Sequence, residues 1–248
     1  MSIIIKTDEE IAIMRKAGRI VAEILKILAD SVRPGMETQE LDIIAERETK
    51  KRGAIPSFKG YRGYPASLCV SVNDEIVHGI PGKRLIKEGD IVSLDFGAIY
   101  DGFQGDAAVT VGVGKISATA LRLIEATEGA LWAGIGAARA RGTLGDISAA
   151  IQAHAETRGF SVVREYTGHA IGREMHEDPL VPNFGVPGTG PVLKRGMTLA
   201  LEPMLNVGDW RTRRADDNWT VLTADGSLSA HFEHTIAITD SEAEVLTK

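Results

Sequence analysis

Two aspartates, Asp95 and Asp106, sit in the stretch SLDFGAIYDGFQGDAA (residues 93–108), on segments that otherwise alternate like β-strands. Val92, Leu94, Phe96 and Ala98 define one face, and Ser93, Asp95 and Gly97 the other. Asp101-Gly102 is a two-residue hairpin signal, which pairs Tyr100 with Phe103, Gly97 with Asp106 and Asp95 with Ala108. The aspartates are then diagonal neighbours on one face, roughly 7–8 Å apart. From there they can share a cation, with Gly97 leaving room for it. The second part of the chain supplies a matching pair. In MTLALEPM, Glu202 ends a strand whose Leu199 and Leu201 point the other way. In SAHFEHTIAIT, Glu233 shares a face with His231 and Thr235, opposite Phe232, His234 and Ile236. Four carboxylates converging in a core repel and protonate unless cations compensate them. Two divalent ions balance the charge, and a histidine is the expected fifth ligand.

Singly, each of these residues has a commoner use. Asp101 is turn chemistry, an aspartate in a hairpin is usually at the surface, and Glu202 before Pro203 reads as an edge charge. A lone His169 or His176 is more often a satisfied structural histidine. What raises the joint pattern above these readings is that the chain says things twice. KEGDIVSLD (87–95) and KRGMTLALE (194–202) share Lys-x-Gly, then four residues, then Leu and a carboxylate, at an offset of 107. The elements before them repeat as well. Thr7 and Glu10 form a capping box for a helix carrying Ile11, Met14, Val21, Leu25 and Leu28 at helical spacing, stopped by Pro34-Gly35. A second helix is expected from about 38 to 51, closed by Gly53; a third near 118–139; and a fourth within 143–159, closed by Gly159. Glu48-Thr49 precedes one stop and Glu156-Thr157 the other. Matches at one offset and in one order argue for internal duplication. The chain reads as one domain, 1–248, of two halves, approximately 1–112 and 113–248, packed about an approximate twofold axis. Asp95 and Glu202 are equivalent in that scheme and face one another across the middle of the fold.

Composition narrows the setting. At 248 residues the length suffices for a sizeable core, and the net charge of −6 argues against nucleic-acid binding. The densest basic run, Arg211 to Arg214, is followed by Asp216 and Asp217. Cys69 is the single cysteine, so no internal disulfide forms, which suits the cytoplasm. The opening MSIIIKTDEE turns acidic too soon for a signal peptide, and no apolar run reaches membrane-spanning length. A zincin site is not supported, because His176-Glu177 lacks the second histidine of HExxH.

These residues resemble the type I methionine aminopeptidases, of the bacterial form without an N-terminal extension. The motifs are Asn73-Asp74-Glu75-x-x-His78-Gly79-Ile80-Pro81; Asp95 with Asp106; Gly168-His169-x-Ile171-Gly172-Arg173-x-x-His176-Glu177; Leu201-Glu202-Pro203-Met204; and Gly226-Ser227-Leu228-Ser229-Ala230-x-Phe232-Glu233-His234-Thr235. The likeness runs from the first helix to about Thr239. It implies an α+β pita-bread fold, with two pseudo-twofold halves and a curved antiparallel sheet covered by helices. It implies that Asp95, Asp106, His169, Glu202 and Glu233 bind two divalent metal ions of the cobalt, manganese or iron class. Asp106 and Glu233 would bridge the pair, Asp95 complete one site, and His169 with Glu202 the other. Glu202 would shuttle the proton, and His78 and His176 would hydrogen-bond the substrate and its tetrahedral intermediate.

By the same resemblance, Phe58, Tyr61, Tyr64, Cys69, His78, Met175, His176 and Trp219 surround the substrate's first side chain. A methionine suits such walls, since its sulfur packs well against aromatic edges. Cys69 has no Cys-His arrangement to make it a nucleophile and reads as a wall. The implied activity is removal of the initiator methionine from nascent polypeptides whose second residue is small. That makes nascent N-termini the partners, with the ribosomal exit tunnel a further one, and a monomer the expected state. The chain's own Met1-Ser2 start predicts loss of Met1. Four positions depart from the family pattern: Phe58 where Cys is frequent, Met175 where Phe is common, Ala170 where Gly is usual and His231 where Gln is usual. Two other readings stand beside this one. A proline-cleaving relative usually carries a further N-terminal domain, whereas here the catalytic-type sequence starts almost at residue 1. A binding module of the same fold typically loses metal ligands.

Overall fold

The computed structural model describes residues 3–248; the Met1 expectation lies outside them. Helix α1 (Asp8–Ser31) begins where the Thr7 side chain accepts from the Glu10 N–H and the Glu10 carboxylate accepts from the Thr7 N–H. Its buried stripe includes Ile11, Met14, Val21, Leu25 and Leu28, as the spacing requires. Helix α2 spans Thr38–Lys51, α3 Ala118–Ala137 and α4 Leu144–Glu156. The ends of α2 and α4 are built alike. The Ala54 N–H returns to Thr49 O, and the Phe160 N–H returns to Ala155 O, both at 3.2 Å. The turns that launch Asp95 and Glu202 also match. Gly89 and Gly196 each have φ 88°, and the N–H groups of Asp90 and Met197 return to the carbonyls of Lys87 and Lys194 at 3.2 and 3.1 Å. An L side chain rarely tolerates that φ, which explains why both turns carry glycine.

Strands of the first part are β1 (Ile55–Pro56), β2 (Cys69–Val72), β3 (Glu75–Val77), β4 (Ile91–Tyr100) and β5 (Phe103–Gly112). After α4 come β6 (Ser161–Val162), β7 (Gly168–Ala170), β8 (Glu177–Val181), β9 (Thr198–Leu201) and β10 (Met204–Asn206). Last are β11 (Thr212–Arg214), β12 (Val221–Thr223), β13 (Ser229–His231), β14 (Glu233–Ala237) and β15 (Glu244–Val245). Among the described residues, nine strands form the main sheet, in the order β1-β4-β5-β14-β9-β7-β8, with β2 also on β4 and β15 on β14. The β4–β5 register is the expected one: Tyr100 opposes Phe103, Gly97 opposes Asp106 and Asp95 opposes Ala108. Asp101 at φ 49° and Gly102 at φ 77° form the tight turn, with both central residues left-handed.

The middle of the sheet is the β5–β14 seam, paired at Glu233–Ala108 and His234–Ala107. On either side of those pairs a threonine hydroxyl replaces the ladder. Thr235 Oγ1 accepts from the Asp106 N–H and donates to Asp106 O, at 3.0 and 2.8 Å. Thr110 Oγ1 does the same for His231, at 2.9 and 2.8 Å. The strands thus part at the seam without leaving buried backbone groups unpaired. One expectation fails here. The segment 229–239 is not a single strand, because it divides at Phe232, and β13 joins β10 and β6 in a separate three-stranded sheet.

One sheet face packs under helices in two apolar clusters. Val21, Leu28 and Leu41 meet Leu94 and Phe96, while Leu123, Ile147 and Ile151 meet Leu199 and Ile236. Full burial of each such side chain contributes ~1.5–3 kcal/mol. Since alternate strand residues face opposite ways, the same packing turns Asp95, Asp106 and Glu233 to the other face.

Candidate active site

The row across the sheet reads Cys69 (β2), Asp95 (β4), Ala108 (β5), Glu233 (β14), each opposite the next. His169 on β7 is opposite Ala200 on β9, and Glu202 follows directly where β9 ends. Ligand atoms of Asp106, His169 and Glu233 lie within 4.8 Å of one another. Glu202 joins them through Oε1, 3.6 Å from His169 Nε2. His169 Nδ1 is 3.0 Å from Ala170 O. A carbonyl only accepts, so Nδ1 carries the proton and the Nε2 lone pair faces the carboxylates, the arrangement typical of a metal-binding imidazole.

The electrostatics point the same way. Burial pushes the Asp95 carboxyl up to about 7. Burial first, then repulsion from neighbouring carboxylates, raises Asp106, Glu202 and Glu233 well above their usual range. Burial also pushes His169 down to about 3, with His176 adding to the shift. Asp95 Oδ1, Asp106 Oδ1 and Glu233 Oε1 are buried without a hydrogen-bond partner. Buried polar atoms are rarely left so. Hard oxygen donors in excess, with the His169 imidazole presenting a free Nε2, form a donor set that fits divalent metal ions.

Above these groups lies a cavity of about 140 Å3, and every residue expected at the site borders it. Phe58, Tyr64, Cys69, Met175 and Trp219 form its apolar walls, and Tyr64 meets the Trp219 ring edge-on at 5.1 Å. Tyr64 is pinned by its hydroxyl, which donates to Gly79 O at 2.8 Å. Burial raises the Cys69 thiol well above its ordinary value, consistent with a wall and not a nucleophile. Tyr61 Oη lies 2.9 Å from His176 Nδ1, and the His176 ring packs 4.2 Å from the His169 ring. Burial within the cavity lip and the Arg62 guanidinium lower His176. His78, at φ 61°, meets Tyr166 edge-on and is pushed down to about 4, chiefly by burial. Both histidines are therefore neutral at pH 7.

Two details differ from the sequence reading. Gly97 does not make room for a cation: a Cβ there would meet Phe58 Cε1 and Ser57 Cβ at 3.0 Å each, so its space belongs to the pocket wall. Arg62 also borders the cavity, its guanidinium 5.3 Å from the Tyr61 ring centroid. Sequence reasoning passed over it because an arginine between two tyrosines in a glycine-rich loop reads as a solvated charge.

The metallopeptidase family M24 profile matches residues 12–240. A methionine aminopeptidase of Clostridium perfringens is 55% identical over 245 residues, 99% of this chain and 98% of that one. The chain belongs to the methionine aminopeptidases of family M24. The crystal structure of the methionine aminopeptidase from Thermotoga maritima superposes with a TM-score of 0.98 at 49% identity, covering all of both chains. The prolidase from Pyrococcus furiosus shares the fold at a TM-score of 0.80 and 25% identity, over 99% of this chain and 65% of its own. For a methionine aminopeptidase the architecture is therefore the expected pita-bread fold. No helix among the described residues is long and apolar enough to cross a membrane.

Proposed function

We propose that this methionine aminopeptidase hydrolyses the first peptide bond of nascent chains that begin with methionine followed by a small residue. The observation that carries the reading is the set of buried, unpartnered carboxylate oxygens on Asp95, Asp106 and Glu233, beneath an apolar and aromatic cavity. Asp95, Asp106, His169, Glu202 and Glu233 would hold two divalent cations, of the manganese, iron or cobalt class. Bound cations would supply the positive charge that polarises a scissile carbonyl and acidifies water.

The remaining work falls to the chain itself. Glu202 is the least enclosed of the four carboxylates, its side chain 15% exposed against 3% for Glu233. It would take a proton from the attacking water and return it to the leaving amine. With the Tyr61 hydroxyl as donor to His176 Nδ1, the ring proton would sit on Nε2, as a donor for the substrate carbonyl or the oxyanion that follows. His78 also lines the cavity, as a second neutral imidazole. Phe58, Tyr64, Cys69, Met175 and Trp219 receive the methionine side chain and exclude water from it. Residues 1–248 act as one catalytic unit of two related halves. We place the enzyme in the cytoplasm, as a monomer working on chains leaving the ribosome, with no nucleic-acid contact of its own. The net charge of −6 supports the absence of nucleic-acid contact.

The test is cleavage of Met-Gly-Met-Met beside an Xaa-Pro peptide, with and without chelator. Methionine release that chelator abolishes and added Mn(II) or Co(II) restores is the expected result. Cleavage of the Xaa-Pro peptide alone, or of neither peptide in metal-replete buffer, overturns the reading.

A further inference from the structure

His231 is 1% exposed, and neither of its ring nitrogens has a hydrogen-bond partner among the described residues. Its backbone is held firmly at the end of β13. The N–H and C=O are both bonded to the Thr110 hydroxyl, and the residue pairs with Met204 across the β10–β13 ladder. From that fixed base the ring is aimed between two carboxylates. Nε2 lies 3.9 Å from Glu202 Oε2 and 3.9 Å from Glu233 Oε2. The other oxygen of each carboxylate is turned elsewhere. Glu202 Oε1 faces the His169 imidazole, and Glu233 Oε1 is among the unpartnered oxygens beneath the cavity. Each glutamate thus presents one oxygen to the His231 ring. Carboxylate oxygens only accept, so the ring proton belongs on Nε2. Each contact needs a movement of about 1 Å to reach ordinary N–H···O distance.

We propose that His231 is a positioning residue, whose Nε2–H is shared between Glu202 Oε2 and Glu233 Oε2 and fixes the orientation in which these carboxylates meet divalent cations. The proposal rests on the reading of Glu202 and Glu233 as cation ligands. Outer hydrogen-bond partners of ligating groups commonly set metal affinity by ~10–100-fold.

The experiment is calorimetric titration of Mn(II) into chelator-stripped wild type, His231→Leu and His231→Gln. Leucine, which lacks a donor, is expected to weaken Mn(II) binding ~10–100-fold, and glutamine, whose amide N–H can make the same donation, to stay within about threefold of wild type. His231→Met takes the place of leucine if the leucine variant does not fold in a thermal melt. Wild type that binds Mn(II) beside a His231→Leu that binds equally well overturns this inference alone, as does a glutamine variant as weak as leucine. Wild type that binds no divalent cation overturns the ligand reading itself. X-ray absorption of the cobalt-loaded proteins is expected to count the same number of coordinating imidazoles in wild type and His231→Leu. Loss of one in the variant would make His231 a ligand and end the positioning role.

Discussion

Replacing Gly97 by alanine separates the pocket from the metal site, because this glycine lies beside Asp106 yet its open space is bordered by Phe58 and Ser57. The new Cβ would stand 3.0 Å from Phe58 Cε1 and from Ser57 Cβ, inside ordinary van der Waals contact. Ser57 cannot give way easily, since its hydroxyl donates to Gln104 Oε1 at 2.7 Å and its N–H to Gly97 O at 3.0 Å. Phe58 is half-buried and borders the cavity, so it is the group that moves. Overpacking of this kind costs ~1–3 kcal/mol, and a partly exposed neighbour keeps it near the lower end, about 1 kcal/mol of stability. The larger effect falls on substrate. Phe58 displaced by about a methyl group's width removes roughly one methylene of pocket, worth ~1–3 kcal/mol, or ~10–200-fold in kcat/KM. Steady-state kinetics on Met-Gly-Met-Met should show that loss. Calorimetric Mn(II) affinity should be unchanged. Gly97→Ala with wild-type kcat/KM, or with metal affinity falling in step with activity, would refute the assignment of this space to the pocket wall.

Tyr61→Phe removes the hydroxyl that orients His176 and should lower kcat/KM by ~3–10-fold, the worth of one hydrogen bond of about 0.5–1.5 kcal/mol, with thermal stability little changed. Divalent cations should stabilise the chelator-stripped protein by ~2.7 kcal/mol at a hundredfold excess over Kd, read as a rise of ~5–10 °C in Tm by calorimetry. Their affinity should weaken as pH falls through about 7, where the Asp95 carboxyl takes up a proton that a cation must displace; titrations in buffers of different ionisation enthalpy would register the proton release. His234, packed against Trp132 and Thr247, is held down to about 4 by burial and by Lys248. Between pH 6.5 and 4 the unfolded chain therefore binds a proton there that the folded chain refuses, and stability is lost as pH is lowered through that window. His234→Phe should flatten this part of the Tm–pH curve, and an unchanged slope would show that His234 does not contribute to it.

The helices were legible because their ends carry chemistry: the Thr7–Glu10 box and the turns after Lys51 and Glu156 stop the chain wherever it folds. The β4–β5 register followed from Asp101-Gly102 alone, since a two-residue turn fixes every pair behind it. The repeated Lys-x-Gly turn marks Asp95 and Glu202, the hairpin register adds Asp106, and strand alternation adds Glu233. What stayed hidden depends on distant partners. The break at Phe232 arises because His231 bonds the Thr110 hydroxyl while Glu233 pairs with Ala108, which periodicity along 229–239 cannot encode. The space over Gly97 is taken by Phe58 from another loop, so the glycine's purpose was misjudged. Arg62 and the isolation of the His231 ring are also products of assembly. A charge in a loop and a histidine in a strand look ordinary until their surroundings close around them.

The two inner strands of the seam, β5 and β14, lie on opposite sides of α3 and α4 in the sequence, and so do the groups of the site. Asp95 and Asp106 precede α3, whereas His169, Glu202 and Glu233 follow α4. Cut in the α3–α4 region, neither fragment would own a full set of donors, and chelatable activity would appear only in co-expressed pairs that find each other. The proposed donor set thus assembles only when both halves of the sheet meet at the β5–β14 seam.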